Sequence, residues 1–358
     1  MQPNRANKIL SKANGIDALL LINTDTRDPN FTYLTGFKSG VYEGDMLLAT
    51  KSSVKLITSP LEYDTAMSQK PDWLEIVNAR SSKGKVHRIL KKELEGKAVG
   101  INGSFLPYSY FMQISKYKPK KVVDLSKAFS EARMIKDSDE IKNIRRAASI
   151  TKFAILEAQK SLKEGITEKE VAAKFNYAVQ LFGADGLAFD TIVSFGKNAA
   201  LPHHMPDSTK LTPGSFVLMD VGAKVNNYCA DITRTIIFKE EKAEHLDKMK
   251  EMLSIVKNAQ LTAIKKIKPG MKGNAIHRIA EQYINSAANG KYKGTFIHSL
   301  GHSVGIEVHD GQGFSPSATE ILKPGMVITA EPGIYIEGFG GVRIEDDILV
   351  TDEGAVVL

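Results

Sequence analysis

The sequence predicts two domains in one chain: an α/β domain over residues 1–127 and an α+β domain with an internal repeat over residues 128–358. Three observations carry this expectation. The length of 358 residues exceeds that of one average domain. Over the first 125 or so residues, short apolar runs alternate with amphipathic stretches, the pattern of a small α/β layer. Beyond them, helix-opening segments and Pro-Gly turns recur after about 105 to 111 residues.

In the first domain the apolar runs Ala18 to Ile22, Met46 to Ala49, Val54 to Ile57, Ala98 to Ile101 and Val122 to Val123 read as strands. The stretch Val86 to Leu94 reads as an amphipathic helix between them. A boundary falls within Ser126 to Asp137, where Asp137 and Glu140 have the spacing of a capping box. That box opens a long helix through Ile141, Ala148, Ile150 and Phe153. Leu162 to Thr167 then leads into a helical pattern ending near Gly183, and Ile267 to Lys272 leads into another ending near Gly290. Pro213-Gly214 precedes Asp220 as Pro324-Gly325 precedes Glu331, at an offset of 111 residues. Each half thus supplies helices, a histidine segment and two strands with a carboxylate apiece, and two facing halves would close one site between them.

Composition excludes several classes. The 42% hydrophobic and 25% charged content is that of a globular protein, and no apolar stretch has the length of a membrane span. The N-terminus carries no signal-peptide core, and Cys229 is the sole cysteine, so no disulfide forms within the chain; a cytoplasmic location is expected. The net charge of +7 comes from lysines spread along the chain. The cluster Lys116 to Lys121 reads as a solvated loop, so no nucleic-acid partner and no membrane is expected.

Four acids sit in apolar stretches where an unpaired charge is costly. Asp220 ends Phe216-Val217-Leu218-Met219, and Asp231 opens Ile232 to Ile237. Glu331 follows Met326 to Ala330, and Glu345 closes Val342-Arg343-Ile344. With His302 they form a hard, oxygen-rich donor set for two dications, which suits manganese, zinc, cobalt or iron. Five of the eight histidines fall in two segments: His203 and His204 before Asp220, then His298, His302 and His309. Gly301 and Gly305 permit tight turns or close backbone approach there. Neutral imidazoles near a metal can ligate it, move protons or donate to a developing oxyanion. His87, His245 and His277 lie in polar helical patterns and are assigned no role.

The motifs Leu218-Met219-Asp220-Val221-Gly222, Asp231-Ile232-Thr233-Arg234-Thr235 and His298 to Gly305 occur in that order. Glu331-Pro332-Gly333-Ile334-Tyr335 and Gly341 to Asp346 follow. Together they resemble the pita-bread metallopeptidases, specifically the Xaa-Pro peptidases (prolidase and aminopeptidase P). Tyr33-Leu34-Thr35-Gly36-Phe37 is similar to the creatinase-like leading domain of that family, so the resemblance spans most of the chain. It implies a creatinase-like domain over 1–127 and a pita-bread catalytic domain over 128–358. It also implies a homodimer, and two divalent ions, manganese ahead of zinc or cobalt.

By the same resemblance Asp231 and Glu345 bridge the two ions, Asp220 completes one, and His302 with Glu331 completes the other. Glu331 is also the implied proton shuttle. His203 is the implied substrate-contacting histidine, while His298 and His309 stabilise the tetrahedral intermediate or hold the substrate's proline. Arg343 steadies a metal carboxylate. The implied reaction is metal-assisted attack of water on the carbonyl before a proline in second position. One departure stands out: Asp310 to Ala330 lacks the arginine with which some members read a dipeptide's carboxylate, and Lys323 is its only cation. The alternatives are a methionine-aminopeptidase-like enzyme, against which the leading domain argues, and a non-catalytic pita-bread binding protein, against which the intact ligand set argues.

Overall fold

The computed structural model describes residues 3–80 and 84–358, which form two compact units, Met1–Arg133 and Met134–Leu358. The first unit holds strands β1 (Ala18–Ile22), β2 (Met46–Thr50), β3 (Val54–Thr58), β4 (Leu74–Asn78), β5 (Ala98–Ile101) and β6 (Lys121–Asp124). Its helices are α1 (Pro3–Lys12), α2 (Pro29–Thr35), α3 (Tyr63–Gln69), α4 (Lys85–Leu94), α5 (Tyr108–Ser115) and α6 (Ser126–Met134), the last running up to the division. The strands make one mixed sheet in the order β4-β3-β2-β1-β5-β6. β1 is the pivot, antiparallel to β2 and parallel to β5. As a central strand it is buried along its whole length, which explains its unbroken Ala-Leu-Leu-Leu-Ile run.

All five strands read from the sequence form, and β4 is a sixth that escaped it. Leu74-Glu75-Ile76-Val77-Asn78 carries a glutamate, and only pairing with β3 draws it into the sheet. The Tyr33 to Phe37 motif sits at the end of α2, where Phe31, Tyr33, Phe37 and Tyr42 are fully buried. The Tyr33 hydroxyl donates to the Ala132 carbonyl at 3.1 Å, giving the buried phenol the partner it needs.

The second unit shows the predicted repeat. The pair α7 (Ser138–Lys160) and α8 (Glu168–Leu181) has a counterpart in α9 (Leu246–Lys266) and α10 (Gly273–Ser286). The capping box at Asp137 and Glu140 is complete, and a second one at Thr167 and Glu170 opens α8. The first half's strands are β7 (Gly186–Leu187), β8 (Ile192–Phe195), β9 (Phe216–Val221), β10 (Ala223–Val225), β11 (Tyr228–Cys229) and β12 (Ile232–Ile237). The second half supplies β13 (Val327–Ala330), β14 (Gly333–Ile336), β15 (Gly340–Arg343), β16 (Asp346–Val350) and β17 (Ala355–Val357). Antiparallel order β12-β9-β8 in the first half matches β16-β13 in the second, where an isolated bridge from Ser303 to Ile328 stands at the place of β8 and β17 pairs with the other edge of β16. Apolar faces of α9, α10 and these strands share one core that includes Phe216, Leu218, Met252, Ile276, Ile328 and Ile348. Among the described residues no helix is long and apolar enough to cross a membrane.

One buried acid sets a pH dependence in the first unit. Burial pushes the Asp45 carboxyl up to about 6, against the hydrogen bonds it accepts from Thr58 Oγ1 and the Ser59 amide. A carboxyl whose folded pKa is raised contributes stability below its unfolded pKa and loses it as pH rises through the folded value. Stability should therefore fall as pH rises from about 4 to about 7. Asp45→Asn should flatten that slope, as read from thermal midpoints at pH 4.5 and 7.5.

Candidate metal centre

The four acids and His302 converge on one cleft of about 1140 Å³. Asp220 lies within β9, opposite Thr233 of β12. Asp231 immediately precedes β12, Glu331 immediately follows β13, and Glu345 lies between β15 and β16. Three of the four thus stand just beyond strand ends, where a side chain leaves the ladder and turns into the cleft.

The nearest donors form a tight group. One ligand atom each from Asp231, His302 and Glu345 all lie within 4.8 Å of one another. His302 Nε2 is 3.4 Å from Asp231 Oδ2 and 3.5 Å from Glu331 Oε1. Asp220 Oδ1, Asp231 Oδ1 and Glu345 Oε1 are buried yet have no hydrogen-bond partner. Buried carboxylate oxygens of that kind need a cation or a proton. Burial and mutual repulsion accordingly raise the Asp231 and Glu345 carboxyls well above the usual range, and burial pushes Glu331 up to about 7. Hard, convergent and partly unsatisfied oxygens fit divalent metal ions.

Arg343 organises the surroundings. Its buried guanidinium donates from Nη2 to Asp220 Oδ2 (2.6 Å), from Nε to Thr233 Oγ1 (3.1 Å) and from Nη1 to the Tyr335 hydroxyl (2.7 Å). Thr233 in turn donates to Glu345 Oε2 at 2.6 Å. Tyr335 donates to His298 Nε2 at 2.8 Å, while His298 Nδ1 donates to the Ser299 carbonyl, also at 2.8 Å. Burial holds the His298 pKa down to about 4, so the ring is neutral, and both nitrogens are engaged within the protein. His309 stands with its ring 4.1 Å from that of His302, and burial beside His302 lowers its pKa too. His203 is exposed and lines the cleft beside Pro202.

The segment carrying His298 and His302 lies very close to its neighbours. A Cβ on Gly301 would meet the Thr329 carbonyl oxygen at 1.9 Å, and one on Gly305 would meet Asp310 Oδ2 at the same distance. Both glycines therefore serve backbone approach rather than a turn. Several supports escaped the sequence reading. Tyr335 and Thr233 lie inside recognised motifs but show no periodicity that marks them as linkers. Lys136 is buried with Nζ 3.0 Å from Ser303 Oγ and 3.7 Å from Asp310 Oδ2, holding the loop after His302. His277, assigned no role from the sequence, accepts the Leu300 amide at Nδ1 (3.2 Å).

Residues 142–352 match the model of metallopeptidase family M24, and residues 4–135 match the creatinase/prolidase N-terminal domain. The chain belongs to metallopeptidase family M24. Its M24 relatives include the "Xaa-Pro dipeptidase" of Pyrococcus horikoshii, 38% identical over 347 residues that cover 96% of this chain and 92% of that one. A solved "Xaa-Pro dipeptidase" from Bacillus anthracis superposes with a TM-score of 0.88 at 32% identity, covering 100% of this chain and 97% of that one. A solved "X-Pro aminopeptidase" from Thermotoga maritima gives 0.87 at 33% identity, covering 97% and 96%. The two-domain architecture expected from the sequence is that of these M24 proteins.

An M24 centre built on unsatisfied oxygens should be stabilised by its ions. Restoring a divalent metal to chelated protein at about a thousand times its Kd should add about 4 kcal/mol of stability. Asp231→Asn should abolish most of that gain, as measured by thermal melts with and without metal.

Proposed function

We propose that this chain is a metal-dependent Xaa-Pro peptidase that hydrolyses the bond between an N-terminal residue and the proline after it, as Xaa-Pro dipeptidase (prolidase) or aminopeptidase P. The observation that carries this reading is one cleft in which Asp220, Asp231, Glu331, Glu345 and His302 meet around unsatisfied oxygens. The near-full-length similarity to proteins described as Xaa-Pro dipeptidases supports the substrate class.

In this reading Asp220, Asp231, His302, Glu331 and Glu345 would hold two divalent ions, Asp231 and Glu345 serving both, Asp220 one, and His302 with Glu331 the other. When bound, such ions would supply Lewis acidity and lower the pKa of a water at the site. Arg343 holds Asp220 in place and, through Thr233, holds Glu345. Glu331, in the cleft beside His302, would accept a proton from the attacking water and return it to the leaving proline nitrogen. His203 and His309 are the donors for the developing oxyanion and the substrate backbone. His298 takes part by giving up Tyr335 or by fixing the wall of the cleft. We further propose manganese as the working ion, a homodimer as the assembly and the cytoplasm as the compartment.

A specific observation bears on substrate length. Among the described residues that line the cleft, Arg343 is the sole lysine or arginine, and its guanidinium is committed to Asp220, Thr233 and Tyr335. A dipeptide's carboxylate would find no side-chain cation at this wall, which favours peptides that continue beyond the proline. The test compares an Xaa-Pro dipeptide with a longer Xaa-Pro peptide, each with manganese, zinc or cobalt restored after chelation. Cleavage is expected with manganese, with kcat/KM higher for the longer peptide. Metal binding without cleavage of either substrate would sink the peptidase reading.

A further inference from the structure

A second group of possible metal ligands, Glu168, His204 and Asp207, has three ligand atoms within 4.8 Å of one another, beside the cleft. Its chemistry differs from that of the metal centre. Glu168 is the first residue of α8 and fully buried, and its oxygens already accept four N–H groups. The Phe195 amide (2.7 Å) and Asn198 Nδ2 (3.0 Å) donate to Oε1. His204 Nε2 (2.7 Å) and the Asp207 amide (3.0 Å) donate to Oε2. A carboxylate has about four acceptor sites, so this one is saturated, whereas Asp231 and Glu345 each keep a buried oxygen without a partner. The arrangement is that of a latch and not of an ion site.

The latch closes over the loop that carries His203. From Pro202 to Ser208 the chain has no regular secondary structure, and Leu201 and Met205 are more than half exposed. Within it the backbone holds itself by a turn from the His204 amide to the Leu201 carbonyl (3.1 Å). Arg343 Nη2 reaches the Pro202 carbonyl at 3.4 Å, a long contact. The short, charge-assisted bonds are those to Glu168. The Lys169 amide also donates to the Asp207 carbonyl (3.3 Å), so the loop carrying His203 is tied to the start of α8 by backbone bonds and by the His204 ring.

We propose that Glu168 is a positioning residue: through the His204 ring and the Asp207 amide it fixes loop 201–207 and aims His203 at the substrate. The kinetic part of this inference rests on the Xaa-Pro peptidase reading above. His204→Leu and Glu168→Gln should each lower kcat/KM on an Xaa-Pro peptide by about tenfold or more, as small misplacements in active sites do. His204→Gln, which keeps a donor, should recover most of the loss. The double variant His203→Ala/His204→Leu should fall no further than His203→Ala alone, because both act through one group. Metal-induced stabilisation should stay at the wild-type level in all of them. A second readout needs no turnover: amide hydrogen exchange across 201–207 should speed up at least tenfold in His204→Leu, with 298–309 unchanged. Losses that multiply in the double variant, or unchanged exchange in the loop, would overturn the proposal. If the wild-type chain cleaves no Xaa-Pro substrate with any metal, the peptidase reading fails, and the exchange arm still decides the latch.

Discussion

Four carboxylates and one guanidinium share a desolvated wall, and their mutual charge is the constraint around which the second unit is arranged. Asp231, Glu331 and Glu345 are pushed towards their protonated forms by burial and by neighbouring carboxylates, Asp220 among them. Arg343 offsets part of that cost directly at Asp220, and part indirectly through Thr233 at Glu345. A buried guanidinium with three separate side-chain acceptors cannot be replaced by lysine without losing its planar fork. The buried oxygens left without a partner, Asp220 Oδ1, Asp231 Oδ1 and Glu345 Oε1, are the ones open to a cation. The same side chain thus keeps the fold tolerable without the ions and leaves room for them.

The repeat explains how five donors from distant parts of the chain meet. β9 and β12 in one half and β13 and β16 in the other are antiparallel pairs, and each pair delivers an acid near either end of its connection. Each connection carries a hairpin, β10-β11 in the first half and β14-β15 in the second, but it is β14-β15 that carries Tyr335 and Arg343. That hairpin breaks the symmetry and supplies the organising cation. The histidine segments differ as well. His302 is held by close backbone approach at Gly301 and by hydrogen bonds from its own backbone, with the amide donating to Thr329 Oγ1 at 3.0 Å. His203 sits on an exposed loop secured by a side-chain latch.

Much of this was legible along the chain because buried charge is conspicuous in one dimension. An acid at the end of a run such as Phe216-Val217-Leu218-Met219 is anomalous wherever the run folds, and four such acids with a histidine cluster define a donor set before any coordinates exist. The capping box at Asp137 and the β1 to β3 runs are local signals, and they formed as read. β4 was not legible, since its glutamate disguises a strand that only its neighbour β3 completes.

The sequence by itself determined the inventory: two domains, a repeated half, five metal-type donors and the histidines around them. Tertiary structure decided who touches whom. It aligned Arg343 with Asp220 across 123 residues and His204 with Glu168 across 36. It also gave Tyr335 and His277 tasks that no spacing announces. The physical reason is that hydrophobic patterning and capping act over a few residues. Hydrogen bonds among buried polar groups are chosen by distance in space, and that distance exists only once the two halves have closed on each other.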